Sequence, residues 1–102
     1  NDDIKILLSS WGPPPALKSN NATRATTGAN TLKKVDGQFM YDEFAQYWYD
    51  VLEYVPFDPD YISIQNEPTY TNTGWTTCQW AATETGDLPG YVTAFDKVYD
   101  AI

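Results

Sequence analysis

Residues 61–68, with the sequence Tyr-Ile-Ser-Ile-Gln-Asn-Glu-Pro, decide how the rest of the chain is organised. The alternating isoleucines in the first half predict a short strand over residues 61–65. Pro68 ends this stretch, because proline lacks an N–H and favours extended geometry in the residue before it. We therefore expect Asn66 and Glu67 at the carboxyl end of a strand, on the lip of a sheet.

A carboxyl group at that lip is a candidate proton donor. With an amide beside it and apolar packing behind it, its pKa can rise enough for it to act as an acid near neutral pH. Taken alone, Asn-Glu-Pro is equally compatible with an acidic residue that opens a solvated loop. The flanking sequence has to separate these two interpretations.

Composition excludes several classes of partner. The 102 residues suit one small globular domain with a 42% apolar composition and a net charge of −8. The longest basic run is Lys33-Lys34, so we expect no nucleic acid partner and no anionic membrane, which both require clustered positive charge.

The available side chains also limit the chemistry. The chain has no histidine and one cysteine, Cys78, which excludes a Ser-His-Asp triad, a Cys-His pair and a His-ligated metal within it. Acid–base chemistry would fall to carboxylates, and no cofactor is expected. Aromatic residues make up 16% of the chain, and their flat faces suit sugars or protein interfaces, although we expect most of them in the core.

A second strand is predicted upstream, over the nearly continuous apolar residues 4–9. Such a run is typical of a strand that is buried on both faces in a parallel sheet. The sequence Ser-Trp-Gly-Pro-Pro-Pro at residues 10–15 cannot continue it. Trp11 is thus expected at the carboxyl end of this strand, as Glu67 is on the other.

Two amphipathic helices complete the pattern. The first is predicted over about Tyr41–Tyr54, and the second begins with Pro89 in its first turn. The apolar face of the first comprises Phe44, Tyr47, Trp48, Val51, Leu52 and Val55. That of the second comprises Tyr91, Val92, Phe95, Val98, Tyr99 and Ile102. Loops are expected over residues 16–38, with a turn at Asp36-Gly37, and over residues 67–87.

The order strand, helix, strand, helix with long strand-to-helix loops predicts an α/β fold, either a barrel or a doubly wound sheet. No glycine-rich phosphate-binding motif follows either strand, which argues against nucleotide binding. Two strands cannot close a barrel, so we expect residues 1–102 to be one segment of a larger domain.

At this point the sequence resembles glycoside hydrolase family 30, a family of retaining (β/α)8-barrel enzymes. The resemblance is carried by residues 9–14 (Ser-Ser-Trp-Gly-Pro-Pro), 17–20 (Leu-Lys-Ser-Asn), Gly28 to Leu32 and 62–68. It implies that the chain covers about strands 3 and 4 of a TIM barrel, together with their helices.

The resemblance also implies roles for individual residues. Glu67 matches the general acid/base, Asn66 the contact to the sugar 2-hydroxyl, and Trp11 an aromatic wall of the subsite. Tyr70 is expected to contact the substrate as well. The nucleophile of the family follows a later strand and is expected outside this chain, because the remaining glutamates lie on or near predicted helices: Glu43, Glu53 and Glu84.

The leading hypothesis is a secreted endo-acting glycosidase that cleaves β-1,4-xylan (glucuronoxylan or arabinoxylan), monomeric at full length, with a polysaccharide substrate. One alternative is a relative that acts on β-1,6-glucan or glucosylceramide. Another is a noncatalytic carbohydrate-binding module, which would show its aromatic residues on an exposed platform of an all-β fold. The isolated 102 residues are expected to be inactive, since one carboxylate of the pair is missing.

Overall fold

The computed structural model describes residues 3–26 and 30–102. Its two longest elements are helices, α1 (Tyr41–Tyr54) and α2 (Tyr91–Ala101). The strands are short: β1 (Leu7–Ser9), β2 (Lys34–Val35), β3 (Gln38–Phe39) and β4 (Tyr61–Ser63). A 3-10 turn over Pro15–Leu17 follows β1. Gly28, within one of the segments that carry the resemblance, lies outside the described residues.

The two predicted strands pair with each other in parallel, with Leu7 opposite Tyr61 and Ser9 opposite Ser63. Their start is anchored by Asp60, whose carboxylate accepts the Ile6 N–H at 2.8 Å. Both strands are shorter than predicted, and the expected burial of β1 on both faces is wrong in this chain. Leu7 is exposed, because each strand has only one described neighbour.

The helix α1 has the predicted bounds, and its predicted apolar face is buried or partly buried. Trp48 and Phe44 are the most enclosed side chains on that face. The helix begins without a side-chain cap, but Asp42 and Glu43 lie in its first turn, where negative charge is favourable.

The helix α2 differs from its prediction. Pro89 precedes the helix, which begins after Gly90. The face towards the core is formed by Ala94 and Val98, with Tyr91 partly buried. The other apolar side chains of the predicted face are exposed: Val92, Phe95, Tyr99 and Ile102.

The turn predicted at Asp36-Gly37 is confirmed, and it closes a hairpin that the sequence pattern did not predict. Both turn residues have positive φ, 51° and 80°, which is the geometry that joins two strands in a two-residue loop. The strands β2 and β3 pair antiparallel across it. Among the described residues, no helix is long and apolar enough to cross a membrane.

The core lies between the helices and the segments that flank β4. Trp80, from the loop after β4, contacts Phe44 at 5.1 Å and Tyr91 at 6.4 Å between ring centroids. Trp80 is almost fully buried, as is Ile64 just beyond β4. The long loop after β4 is therefore packed into the body of the molecule at Trp80, and this contact limits where the rest of the loop can lie.

Candidate active site

The parallel pairing brings Trp11 and Glu67 to the same edge of the β1–β4 pair, as predicted. Hydrogen bonding continues past both strands. The Ser10 N–H donates to the Ser63 carbonyl at 3.0 Å, and the Asn66 N–H donates to the Ser10 carbonyl at 2.7 Å. Trp11 follows Ser10 and Glu67 follows Asn66, so both leave the strand pair at its carboxyl end.

A buried amide holds these two chain segments together. Gln65 is 2% exposed, and its Nε2 donates to the carbonyl oxygens of Trp11 at 2.9 Å and Asn66 at 3.0 Å. Its Oε1 accepts the indole N–H of Trp80 at 3.3 Å. One side chain therefore fixes the residues that follow both strands and joins them to the core through Trp80.

Glu67 itself departs from two expectations. Its φ is +44°, in the left-handed region, so the extended backbone expected before Pro68 is wrong. Its side chain is exposed, so the apolar packing expected behind the carboxyl is also absent among residues 3–26 and 30–102. Within the same ranges the carboxylate has no hydrogen-bond or ion-pair partner, and it faces water with only two strands beneath it.

Of the other predicted site residues, Asn66 and Tyr70 are close to Glu67 in sequence, and Trp11 follows the neighbouring strand. Asn66 is partly buried, and its side-chain amide has no partner within the described part of the chain. Trp11 is about half exposed. Tyr70 closes a turn on Glu67, because its N–H donates to the Glu67 carbonyl at 3.0 Å.

Tyr70 is part of an aromatic pair. Its ring stacks on that of Trp75, with centroids 6.2 Å apart and planes inclined by 22°. The Asn72 amide donates to the Tyr70 hydroxyl at 3.0 Å. Sequence reasoning selected Tyr70 but not this pairing, which depends on how the loop bends between the two rings.

The loops beside the site are joined by a buried lysine. Lys18 is fully enclosed, and its Nζ donates to Asn30 Oδ1 at 2.6 Å and to the Thr77 carbonyl at 2.7 Å. It also contacts the carbonyls of Ala22 and Thr23 at 3.3 and 3.2 Å. Burial lowers the pKa of Lys18, while the neighbouring Cys78 acts in the opposite direction.

The sequence did not predict that Gln65 and Lys18 support the site, although both belong to motifs. Gln65 stands next to Asn66, and Lys18 belongs to a segment that carried the resemblance, yet no periodic pattern predicts that either is buried. Ser10 is a further case: its hydroxyl, at the end of β1, is buried without a partner among the described residues. These polar side chains become recognisable only once the strands are paired.

A cleft of a different composition lies away from the site. It has a volume of about 540 Å³ and is lined by the hairpin, the start of α1, Glu84 and Lys97. Beside it, the Tyr41 hydroxyl donates to Glu84 at 2.7 Å and accepts the Gly90 N–H at 2.7 Å. Burial raises the pKa of Tyr41 to about 12. This region joins α1 to α2 and contains none of the predicted site residues.

Comparison with known proteins adds one relative. No protein-family model matches the chain. The chain is 35% identical over 88 residues to an endo-1,6-beta-D-glucanase of Neurospora crassa. The match covers 83% of this chain but 18% of the glucanase, so the chain spans less than a fifth of that relative. Most of the chain is thus similar to one part of a glycoside hydrolase.

Proposed function

We propose that the chain is part of a retaining glycoside hydrolase that acts on β-1,6-glucan, with Glu67 as the general acid/base. The observation that carries this proposal is that Trp11 and Glu67 both follow the carboxyl ends of two paired parallel strands, where the Gln65 amide joins the two chain segments. This is the edge at which α/β barrels build active sites. The relative at 35% identity supports glucan over xylan, and the xylan hypothesis, which depended on loop character, has no support from it.

The proposed chemistry uses two carboxylates. Protonated Glu67 donates to the departing glycosidic oxygen, and ionised Glu67 then activates a water molecule against a glycosyl-enzyme ester. The second carboxylate is the nucleophile, about 5–5.5 Å from the first in a retaining enzyme. We place it outside this chain. Asn66 would hold a sugar hydroxyl, and the exposed face of Trp11 would pack against the ring.

The fold proposal follows from the same edge. We propose that β1 and β4 are two neighbouring strands of a (β/α)8 barrel, with further strands on both sides of the pair. The exposure of Leu7 and Tyr61 supports this, because parallel strands are normally covered on both faces. Those additional elements would also enclose Glu67, which is open to water here. We also propose that the full-length protein is secreted.

The test is Glu67→Gln in the full-length protein. The amide keeps the shape of the side chain but cannot donate or accept the proton, so hydrolysis of β-1,6-glucan should fall about 10²–10⁴-fold. Reducing-end release from β-1,6-glucan and from β-1,4-xylan measures both rate and substrate. Glu53→Gln, at an exposed glutamate on α1, is the matched control and should leave the rate unchanged.

Two results would overturn the proposal. Undiminished glucan hydrolysis by Glu67→Gln would remove Glu67 from the reaction. Hydrolysis of xylan but not of glucan by the unmodified protein would favour β-1,4-xylan as the substrate. The alternative of a noncatalytic module has less support, because the longest elements are the helices of 14 and 11 residues and not an all-β platform.

A further inference from the structure

The Tyr70–Trp75 pair is an exposed aromatic surface that the acid/base role of Glu67 does not explain. Tyr70 is 39% exposed and Trp75 is 50% exposed, although both rings are large and apolar. Two of the other three tryptophans, Trp48 and Trp80, are almost fully buried. The two rings stack on each other with their planes inclined by 22°, and each keeps part of its surface open to solvent.

The pair is held in place by polar contacts. The Tyr70 hydroxyl accepts the Asn72 amide, and the Asn72 backbone carbonyl accepts the Ala25 N–H at 3.0 Å. The Thr77 hydroxyl lies 3.4 Å from the same carbonyl, and it also accepts the Asn30 amide at 2.9 Å. The surface is therefore connected to the buried network around Lys18, and its rings require little ordering when a ligand binds.

We propose that Tyr70 and Trp75 form a second sugar-binding subsite, which stacks against a pyranose ring of the glucan other than the ring nearest Glu67. A pyranose presents C–H groups on one face and hydroxyls at its rim, which matches flat rings that carry polar edges. This inference rests on the proposed function, and it names Trp75 as a residue that sets the preference for longer substrates.

The position of the pair relative to Glu67 supports a neighbouring ring over the same ring. The hydrogen bond from Tyr70 to the Glu67 carbonyl closes a turn, so the two Cα atoms lie within about 7 Å. Trp75 lies eight residues after Glu67 along the same loop, and within the described residues no hydrogen bond joins either ring to the Glu67 carboxylate. A chain of linked sugars can meet both.

Charge favours a neutral ligand on this surface. The chain has 14 acidic and six basic residues, so nucleic acids and other polyanions would be repelled. An uncharged polysaccharide pays no such electrostatic cost. A protein partner would use the same aromatic faces. In that case the oligosaccharides of the experiment below would not bind.

The experiment measures binding and turnover separately in the full-length protein. Binding of gentiobiose and of longer β-1,6-linked gluco-oligosaccharides is measured by calorimetry in the Glu67→Gln background, where they are not consumed. Turnover of an aryl β-glucoside, which has a single ring, is measured with Glu67 present. Trp75→Ala is the test variant, Trp75→Phe the conservative one, and Tyr54→Ala an exposed aromatic control on α1.

We expect Trp75→Ala to weaken binding of the longer oligosaccharides about tenfold and to leave aryl glucoside turnover unchanged. Trp75→Phe should restore most of the affinity, and Tyr54→Ala should change nothing. If Trp75→Ala binds every length as the parent does, or loses affinity for all lengths equally, the subsite is wrong while the function stands. If the unmodified protein binds oligosaccharides through Trp75 but hydrolyses none, the function is wrong while the subsite stands. Absence of any oligosaccharide binding overturns the subsite.

Discussion

Glu67 has a backbone conformation that glutamate rarely adopts, and Pro68 follows it directly. Two other non-glycine residues have positive φ, Asn21 and Asp36, and their short polar side chains tolerate this region. Glutamate has no such advantage, so its conformation costs about 1–2 kcal/mol. Strained residues cluster at functional sites because the surrounding structure holds them there. Here the surrounding contacts include the Gln65 amide, which fixes the preceding residue.

This strain predicts an unusual result of substitution. Glycine adopts positive φ without steric cost, whereas alanine does not. Glu67→Gly should therefore be more stable than Glu67→Ala by about 1 kcal/mol, the reverse of the usual order. Urea unfolding of both variants in the full-length protein measures the difference. If the alanine variant is the more stable, Glu67 does not hold the left-handed conformation in solution.

Cys78 gives a prediction about pH. Burial raises the pKa of its thiol from 9.0 to about 12, with Lys18 acting in the opposite direction. The unfolded chain releases this proton near pH 9 and the folded chain does not, so the stability that the group contributes is complete below pH 9. That stability is lost as the pH rises from about 9 towards 12.

The change Cys78→Ala should remove this pH-dependent part. We expect the free energy of unfolding to fall less steeply for the variant than for the parent between pH about 8 and about 11. The comparison has to be made between slopes, because Tyr41 also titrates in this range and the smaller side chain lowers stability at every pH. Parallel slopes for the two proteins would show that the thiol is not protected from ionisation.

At the scale of elements, the loops on either side of the site act as one unit. Residues 18–26 and 70–79 have no regular helix or strand, yet they are joined by backbone hydrogen bonds such as Thr77 N–H to Thr23 O at 3.1 Å. Gly12 lies against the same region, where a Cβ would come 3.3 Å from the Thr77 carbonyl. Lys18 supplies the charged centre of this packing. The loop that carries Tyr70 and Trp75 therefore owes its position to a loop far away in sequence.

Removing the lysine amine should loosen this unit. Lys18→Met keeps the apolar stem but leaves Asn30 Oδ1 and the Thr77 carbonyl buried without a donor. We expect a loss of about 3 kcal/mol from the free energy of unfolding. Lys33→Met removes an exposed hydrogen bond to Asn21 and should change stability by less than about 0.5 kcal/mol. Equal effects of the two substitutions would mean that Lys18 is not enclosed as described.

At the scale of the whole molecule, a large apolar surface is open to water. It includes the outward faces of the β1–β4 pair and the α2 stripe, formed by the exposed side chains of Val92, Phe95, Tyr99 and Ile102. Exposed apolar surface of this extent and unpaired strand edges favour association. In the proposed barrel the same surfaces are covered by neighbouring strands and helices. The isolated 102 residues should accordingly self-associate and show no turnover.

A substitution of Phe95, on the α2 stripe, should have different effects in the isolated chain and in the full-length protein. Phe95→Asp should leave the stability of the isolated chain nearly unchanged, because the ring is half exposed there. In the full-length protein the same change would bury an unpaired charge and should lower the melting temperature markedly. Asp96→Asn, at an exposed neighbouring position, is the control for both. A full-length protein that is indifferent to Phe95→Asp would contradict the proposed covering of α2.

The sequence by itself determined those features that depend on neighbouring residues. The three- and four-residue spacing placed α1 with its observed bounds, Asp36-Gly37 located a tight turn, and Pro68 ended the segment that follows β4. In each case the physical cause acts within one turn of chain, through side-chain periodicity or backbone sterics. The parallel pairing was predicted as well, because two apolar strands separated by a helix have few other arrangements.

Tertiary structure alone decided which polar groups are buried and which apolar groups are not. The contact of Lys18 with Thr77 spans 59 residues, and that of Gln65 with Trp11 spans 54. No local pattern records such pairs, since their energy depends on acceptors that only folding brings together. The same reason explains why α2 turned a different face inwards: the amphipathic pattern identified apolar side chains, but α1 and Trp80 determined which of them would be covered.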